Sequence, residues 1–200
     1  MVCPPSLQVR TYGAYAYTHS HTEGILYTVT ELTSNLTAHS LPPLPAPPKL
    51  LSITSTLQLQ PGEVLGDRAA AELLLAPALR GNRRGSSSSE GGDRPKPFLY
   101  ATNRNDPSPE GDPLAIISLE DPTTPALIRE VHTGLRHLRG AAIGGEDGRY
   151  IIMGGTFGGG VKMYERIEGG RALMEIAALP DIEGPTGFLW LRQENCTTAS

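Results

Sequence analysis

Three times along this chain an apolar, β-favouring run gives way to turn-forming residues and then to a second such run. That repetition narrows the choice of fold more than any other feature. The clearest copy is PFLYATNRNDPSPEGDPLAIISL, 97–119, in which FLYAT and LAIISL flank a loop crowded with Asn, Asp, Pro, Ser and Gly. GILYTVTELTSNLTAHSL, 24–41, and RYIIMGGTFGGGVKMYER, 149–166, repeat the design. Each reads as a β-hairpin, and three copies in series predict a repeat protein of antiparallel sheets.

The copies superimpose on Tyr27, Tyr100 and Ile152. The second interval lies close to the roughly 40 to 50 residues of a four-stranded propeller blade, and an insertion lengthens the first. Four positions beyond the anchors stand Glu31, Arg104 and Thr156. Side-chain direction in a strand repeats every second residue, so equal offsets give equal faces. Glu31 and Arg104 are therefore expected on one rim, from neighbouring blades.

The remaining segments fit around these hairpins. An N-terminal segment, 1–23, carries a short strand around Tyr12 to Thr18, followed by the partial propeller, 24–191, and a polar tail, 192–200. PPLPAPP, 42–48, is a polyproline spacer. Lys49 to Leu59 alternates as an outer strand with Leu51, Ile53, Ser55, Leu57 and Leu59 on one face. DRAAAELLLAPAL, 67–79, has helical propensity, yet the repeat requires an inner strand there, and a strand buried on both faces tolerates a continuous apolar run. RGNRRGSSSSEGGDRPK, 80–96, contains no residue able to fund its own ordering by burial and reads as a disordered insertion. ALIREV, 126–131, is a further strand, Leu138 to Ile143 an inner strand, Ala172 to Leu179 an outer one, and Phe188 to Leu191 a last, unpaired strand. The expected architecture is all-β, with about three four-stranded blades plus that strand in an incomplete arc.

Several functions fall away. Net charge is −4, so no global basic field draws nucleic acid or an anionic membrane. No window approaches the roughly 18 apolar residues of a membrane-spanning helix, and prolines interrupt the position of a signal peptide, which together read as a cytoplasmic protein. On that reading the sequons at Asn35 and Asn195 are chance matches. Cys3 and Cys196 make no disulfide framework, although a single bridge between them stays open. His19 and His21 lack acidic or cysteine partners at metal-ligand spacing, so no metal site is expected. GGTFGGG, 154–160, lacks the Lys-Ser/Thr of a phosphate-binding loop and is a tight glycine turn.

AAAELLLAP, FLYATNRNDPSPEGDPLAIISL, TGLRHLRGAAIGG, GGGVKMYER and PTGFLWL together resemble the C-terminal part of the fungal seven-bladed β-propeller lactonase family. That family includes carboxy-cis,cis-muconate cyclase, the 3-carboxymuconate lactonizing enzyme of aromatic catabolism, and is similar to the 6-phosphogluconolactonases. The resemblance implies a cofactor-independent isomerase that cyclises 3-carboxy-cis,cis-muconate. Its alternatives are a 6-phosphogluconolactonase-type lactone hydrolase and a non-catalytic fragment acting as a binding module. It also implies that an acidic residue and an arginine closing successive strands belong to the active-site mouth, which here are Glu31 and Arg104. His137 and Arg139, on the third inner strand, are weaker candidates for substrate binding. Three blades where the family has seven make the chain resemble a truncated enzyme with little turnover of its own.

The residues suit that chemistry. Arg104 offers a planar fork for a small anionic substrate, a carboxylate or a phosphorylated lactone. Glu31 beside an anionic ligand would have a raised pKa and act as acid or base. No metal or cofactor is needed, and the two residues serve cyclase and hydrolase equally.

Overall fold

The structure is a computed structural model that describes residues 8–11, 14–19, 24–79 and 97–191. The insertion expected at 80–96, the tail at 192–200, both cysteines, His21 and Asn195 lie outside the described residues.

Thirteen strands form three antiparallel sheets among these residues. The first contains β1 (Gln8–Thr11), β2 (Ala14–His19), β3 (Ile25–Thr30), β4 (Asn35–Ser40) and β5 (Lys49–Ser55), in chain order. The second contains β6 (Ala69–Ala76), β7 (Phe98–Arg104), β8 (Pro113–Ser118) and β9 (Ala126–His132). The third contains β10 (Arg136–Gly144), β11 (Tyr150–Gly158), β12 (Gly160–Ile167) and β13 (Ala172–Leu179). Each repeated hairpin supplies the two middle strands of one sheet, and the Ala-Leu run at 67–79 is the inner strand β6. The sheets stack face to face with inner strands β2, β6 and β10 adjacent, as successive blades of a propeller.

The middle sheet explains the sequence most directly, because it is covered on both faces. Leu99, Ala101, Ala115 and Ile117 pack onto Tyr27, Val29, Leu36 and Ala38 of the first sheet. Phe98, Tyr100, Leu114 and Ile116, the alternate residues of the same strands, pack onto Leu135, Leu138, Ile151 and Met153 of the third. The inner strands depart from simple alternation. In β6 the pairs Ala70↔Asn103 and Leu73↔Ala101 leave Ala71 and Glu72 opposite Thr102 alone, a bulge that brings Ala70 and Leu73 to one face. Arg139 occupies the corresponding irregularity in β10, between the pairs Leu138↔Gly155 and Gly140↔Gly154.

Two of the three anchor residues hold the blades together. The Tyr27 hydroxyl donates to Pro122 O at 2.8 Å, in the turn between the last two strands of the next blade. The Tyr100 hydroxyl donates to Gly170 O at 2.7 Å, at the same point one blade further on. Burial, with Asp121 adding, pushes the Tyr27 phenol up to about 12, so it remains a donor. Tyr100 also accepts from Arg166 Nε at 2.9 Å. Arg166 is 2% exposed, and its other nitrogens donate to Gly148 O and Pro77 O. The third anchor, Ile152, faces away from the middle sheet, since its neighbours Ile151 and Met153 face it.

Three expectations need correction. The first sheet has a fifth strand, β1, paired to the outside of β2, a region too short and mixed in sequence to announce a strand. In β5, which ends at Ser55, the polar alternates turn inward: Ser52 and Thr54 donate to Thr123 O and Pro125 O, while Leu51 and Ile53 are exposed. Hydrogen bonding to the neighbouring blade outweighed hydrophobic alternation there. Phe188 to Leu191 is not a strand. Residues 185–190 instead cross the outer face of the third sheet over Gly140, Gly144 and Gly154. A Cβ on Gly140 would stand 2.7 Å from Thr186 C, and one on Gly154 would stand 2.7 Å from Pro185. A Cβ on Gly144 would stand 1.9 Å from Trp190 Cδ2. Trp190 also stacks on Tyr150, ring centroids 6.3 Å apart. Three missing side chains thus make a bed for a chain segment that pairs with no strand.

Tyr27→Phe removes one hydrogen bond and should cost about 1 kcal/mol, whereas Tyr100→Phe also strands the buried Arg166 Nε and should cost about 2 to 3 kcal/mol. Urea denaturation checks the order, and equal losses would mean that Arg166 does not depend on Tyr100. Gly144→Ala should lift the chain's single tryptophan from its bed and shift its emission to the red. Unchanged emission would show that Trp190 does not rest on Gly144.

Candidate functional site

Glu31 follows β3 in the first blade, and Arg104 closes β7 in the second. The two meet: Arg104 Nη2 and Glu31 Oε1 form an ion pair, with the two side chains 13% and 25% exposed. The backbone makes the same crossing, since Ala70 N, on the strand paired to Arg104, donates to Glu31 O at 3.0 Å. Thr156, the third residue of the set, donates instead to Pro185 O at 3.4 Å.

The third blade contributes His137 to the same cluster. Its Nδ1 stands 2.9 Å from Asn105 Oδ1 and its Nε2 3.3 Å from Arg104 Nη1. Only one tautomer satisfies both contacts. Nδ1–H donates to the amide oxygen, and the Nε2 lone pair accepts from the guanidinium. Burial pushes the imidazole pKa down, and Arg104 and Arg139 push it further, against a smaller opposite effect of Asp112. His137 is therefore neutral where it touches Arg104. Both Asn105 and His137 take left-handed backbone angles, φ 62° and 56°, a conformation that non-glycine residues adopt only when their surroundings enforce it.

The enforcing structure is the loop 105–112. Asp112, 1% exposed, accepts from Asp106 N through Oδ1 and from Leu138 N through Oδ2, both within 2.9 Å. Arg136 donates to Asp106 O, Ser108 O and Pro109 O. The residues on either side of His137 are thus bound to one loop, which delivers the imidazole to Arg104. At the root of the loop, Arg68 bridges Asp106 and Glu63.

Two further residues complete the rim. Arg139, at the β10 irregularity, is exposed and makes no ion pair with a described residue. Phe157, near the end of β11, stacks on His137 with ring centroids 4.2 Å apart and an interplanar angle of 24°. Strand register alone brings Glu31 and Arg104 together. It gave no hint of Asn105, Asp112, Arg136 or Phe157, whose roles come from loop and bulge geometry. The density of Asn, Asp and Ser in 103–112 was the one available signal, since such residues build hydrogen-bonded loops.

No group of three or more potential metal ligands occurs among the described residues, and no helix among them is long and apolar enough to cross a membrane. The arrangement offers an engaged cation, a carboxylate, a neutral imidazole and an exposed second cation.

Three stacked four- to five-stranded blades joined in this way are an arc of a β-propeller. A candidate 6-phosphogluconolactonase from Bacteroides fragilis superimposes with a TM-score of 0.58 at 16% identity, over 82% of this chain and 37% of its own. The periplasmic gluconolactonase PpgL of Pseudomonas aeruginosa gives 0.56 at 13%, over 81% and 38%. A candidate 6-phosphogluconolactonase from Bacteroides uniformis gives 0.58 at 17%, over 86% and 50%. The chain spans half or less of the length of each of these proteins. No family profile and no curated protein sequence matches it.

His137 should titrate below the ordinary value of about 6.5. Because its folded pKa is depressed, the stabilising contact with Arg104 is complete above that ordinary value and is lost as pH falls through the folded one. Histidine NMR shifts recorded with pH check this. A His137 midpoint at or above that of unfolded histidine would show that the imidazole does not accept from Arg104.

Proposed function

We propose that the rim formed by Glu31, Arg104 and His137 is a lactone-binding site, and that its chemistry is hydrolytic opening of a sugar-acid lactone. The observation that carries this reading is the ion pair between Glu31 and Arg104 across the first blade seam, braced from the third blade by a neutral histidine. In this reading Glu31, ion-paired to the guanidinium, takes a proton from water. The resulting hydroxide adds to the lactone carbonyl, and Arg104 stabilises the oxyanion through a guanidinium N–H. Collapse breaks the acyl C–O bond, and the proton goes to the departing ring oxygen. Arg139 meets an anionic substituent such as a carboxylate or phosphate.

Muconate cyclisation fits these residues less well. It calls for Arg104 as a fully open fork for substrate carboxylate, and its Nη2 and Nη1 already engage Glu31 and His137. The structural neighbours, a gluconolactonase and two candidate 6-phosphogluconolactonases, also favour the hydrolase. The small anionic substrate expected from sequence then becomes a sugar-acid lactone, and the reading draws on no metal or cofactor. Localisation to the cytoplasm is part of the same proposal.

The test compares the chain with its Arg104→Ala and Glu31→Gln variants in opening glucono-1,5-lactone and its 6-phosphate, beside 3-carboxy-cis,cis-muconate. Slow opening above the spontaneous rate, returned to that rate by Arg104→Ala, is the expected outcome. Turnover of the muconate with inert lactones would reverse the assignment, and a lactone rate unaffected by either variant would remove these residues from it.

A further inference from the structure

We propose that Phe157 is the ring-binding platform of this site, so that its substrate is closed and cyclic and is selected over the open-chain acid by its C–H face. The inference rests on the lactone reading above and adds a residue that neither the repeat nor the register pointed to.

Phe157 is 75% exposed, although it sits beside the most constrained residue of the rim. One face of its ring is covered by His137, and the contact runs on through Arg104 to Glu31. The exposure leaves the opposite face open. The turn that follows it is bare of side chains: Gly158, Gly159 and Gly160 come next in sequence, with φ of 146°, 84° and 68°. On the partner strand His137 alone lies between the pairs Arg136↔Gly158 and Leu138↔Gly155, with Thr156 and Phe157 both opposite it. That two-against-one bulge re-aims Phe157, as bulges do beside functional sites.

An aromatic face carries the negative part of the ring quadrupole and attracts the positive edges of C–H bonds. A six-membered sugar lactone presents such a face, with axial C–H bonds directed from either side of the ring and its carbonyl in the ring plane. Laid on Phe157, that ring places its carbonyl edge toward the neighbouring polar groups, while an anionic arm remains within the field of Arg139. The hydrolysed acid is an extended chain with no such face, so the platform discriminates substrate from product. His137 has two tasks here. It accepts from Arg104, and it supports the aromatic ring from behind, which makes it a positioning residue for the platform.

The test uses gluconolactam, a ring amide that resists hydrolysis, and open-chain gluconate as probes of the full chain. Variants are Phe157→Leu, Phe157→Ala and Phe157→Tyr. Because Phe157 is exposed, thermal melting should be the same in all four proteins. Calorimetric titration should show lactam binding weakened about fivefold or more by Leu and by Ala, kept by Tyr, and gluconate affinity moved by none of them. Lactam binding should also shift the Phe157 ring protons in NMR spectra. Lactam affinity that is equal in wild type and Phe157→Leu overturns the platform and leaves hydrolysis by Glu31 and Arg104 standing. Gluconate weakened as much as the lactam overturns the selection for rings. A wild-type chain that binds no lactam overturns the platform and the lactone reading together.

Discussion

The arc depends on burying a polar group at each seam without leaving it unsatisfied. Tyr27 and Tyr100 each put an aromatic ring between two sheets and a hydroxyl onto the far blade's turn. Sheet-on-sheet packing alone is non-directional, so apolar faces slide over one another at little cost. A buried hydroxyl with one acceptor in reach removes that freedom, because slipping by a single residue would strand it at a cost of about 1 to 3 kcal/mol. The tyrosines therefore fix the register of one blade against the next, which in turn brings residues of separate blades to one rim.

The cluster at that rim is built from outside in. Arg104 belongs to the second blade but is placed by the first and third, through Glu31 and His137. Such placement requires a loop that crosses blades, and 105–112 crosses with five bonds to the start of β10. A buried carboxylate, Asp112, spends both oxygens on backbone N–H groups and is thereby structural. The left-handed conformations of Asn105 and His137 mark where that construction stores its strain.

Much of this was legible in the chain. Hairpins declare themselves by apolar runs about turn residues, and three of them in register forecast both the blades and the meeting of Glu31 with Arg104. The Ala-Leu run of β6 shows where propensity fails: its helical preference yields because both faces find sheets to cover. What resisted reading was whatever depends on a neighbour. Leu51 and Ile53 alternate convincingly, yet the turn at 122–125 offers carbonyls that favour Ser52 and Thr54 on the inner face. Phe188 to Leu191 has a strand's composition, and only the absent side chains of Gly140, Gly144 and Gly154 make lying across a sheet better than joining one. His137 and Phe157 owe their positions to a bulge, a one-residue difference that periodicity cannot register.

The blade seams have an asymmetry with an evolutionary consequence. At the tyrosines, at Ser52 and at Thr54, the donor is a side chain, but the acceptor is always a main-chain carbonyl: Pro122, Thr123, Pro125 or Gly170. Every amino acid carries that carbonyl, proline and glycine included. At these four bonds the receiving residues can thus change identity without losing the acceptor, and the mutational load falls on the hydroxyl donors. A repeat protein wired in this way can preserve its architecture long after its copies have ceased to look alike.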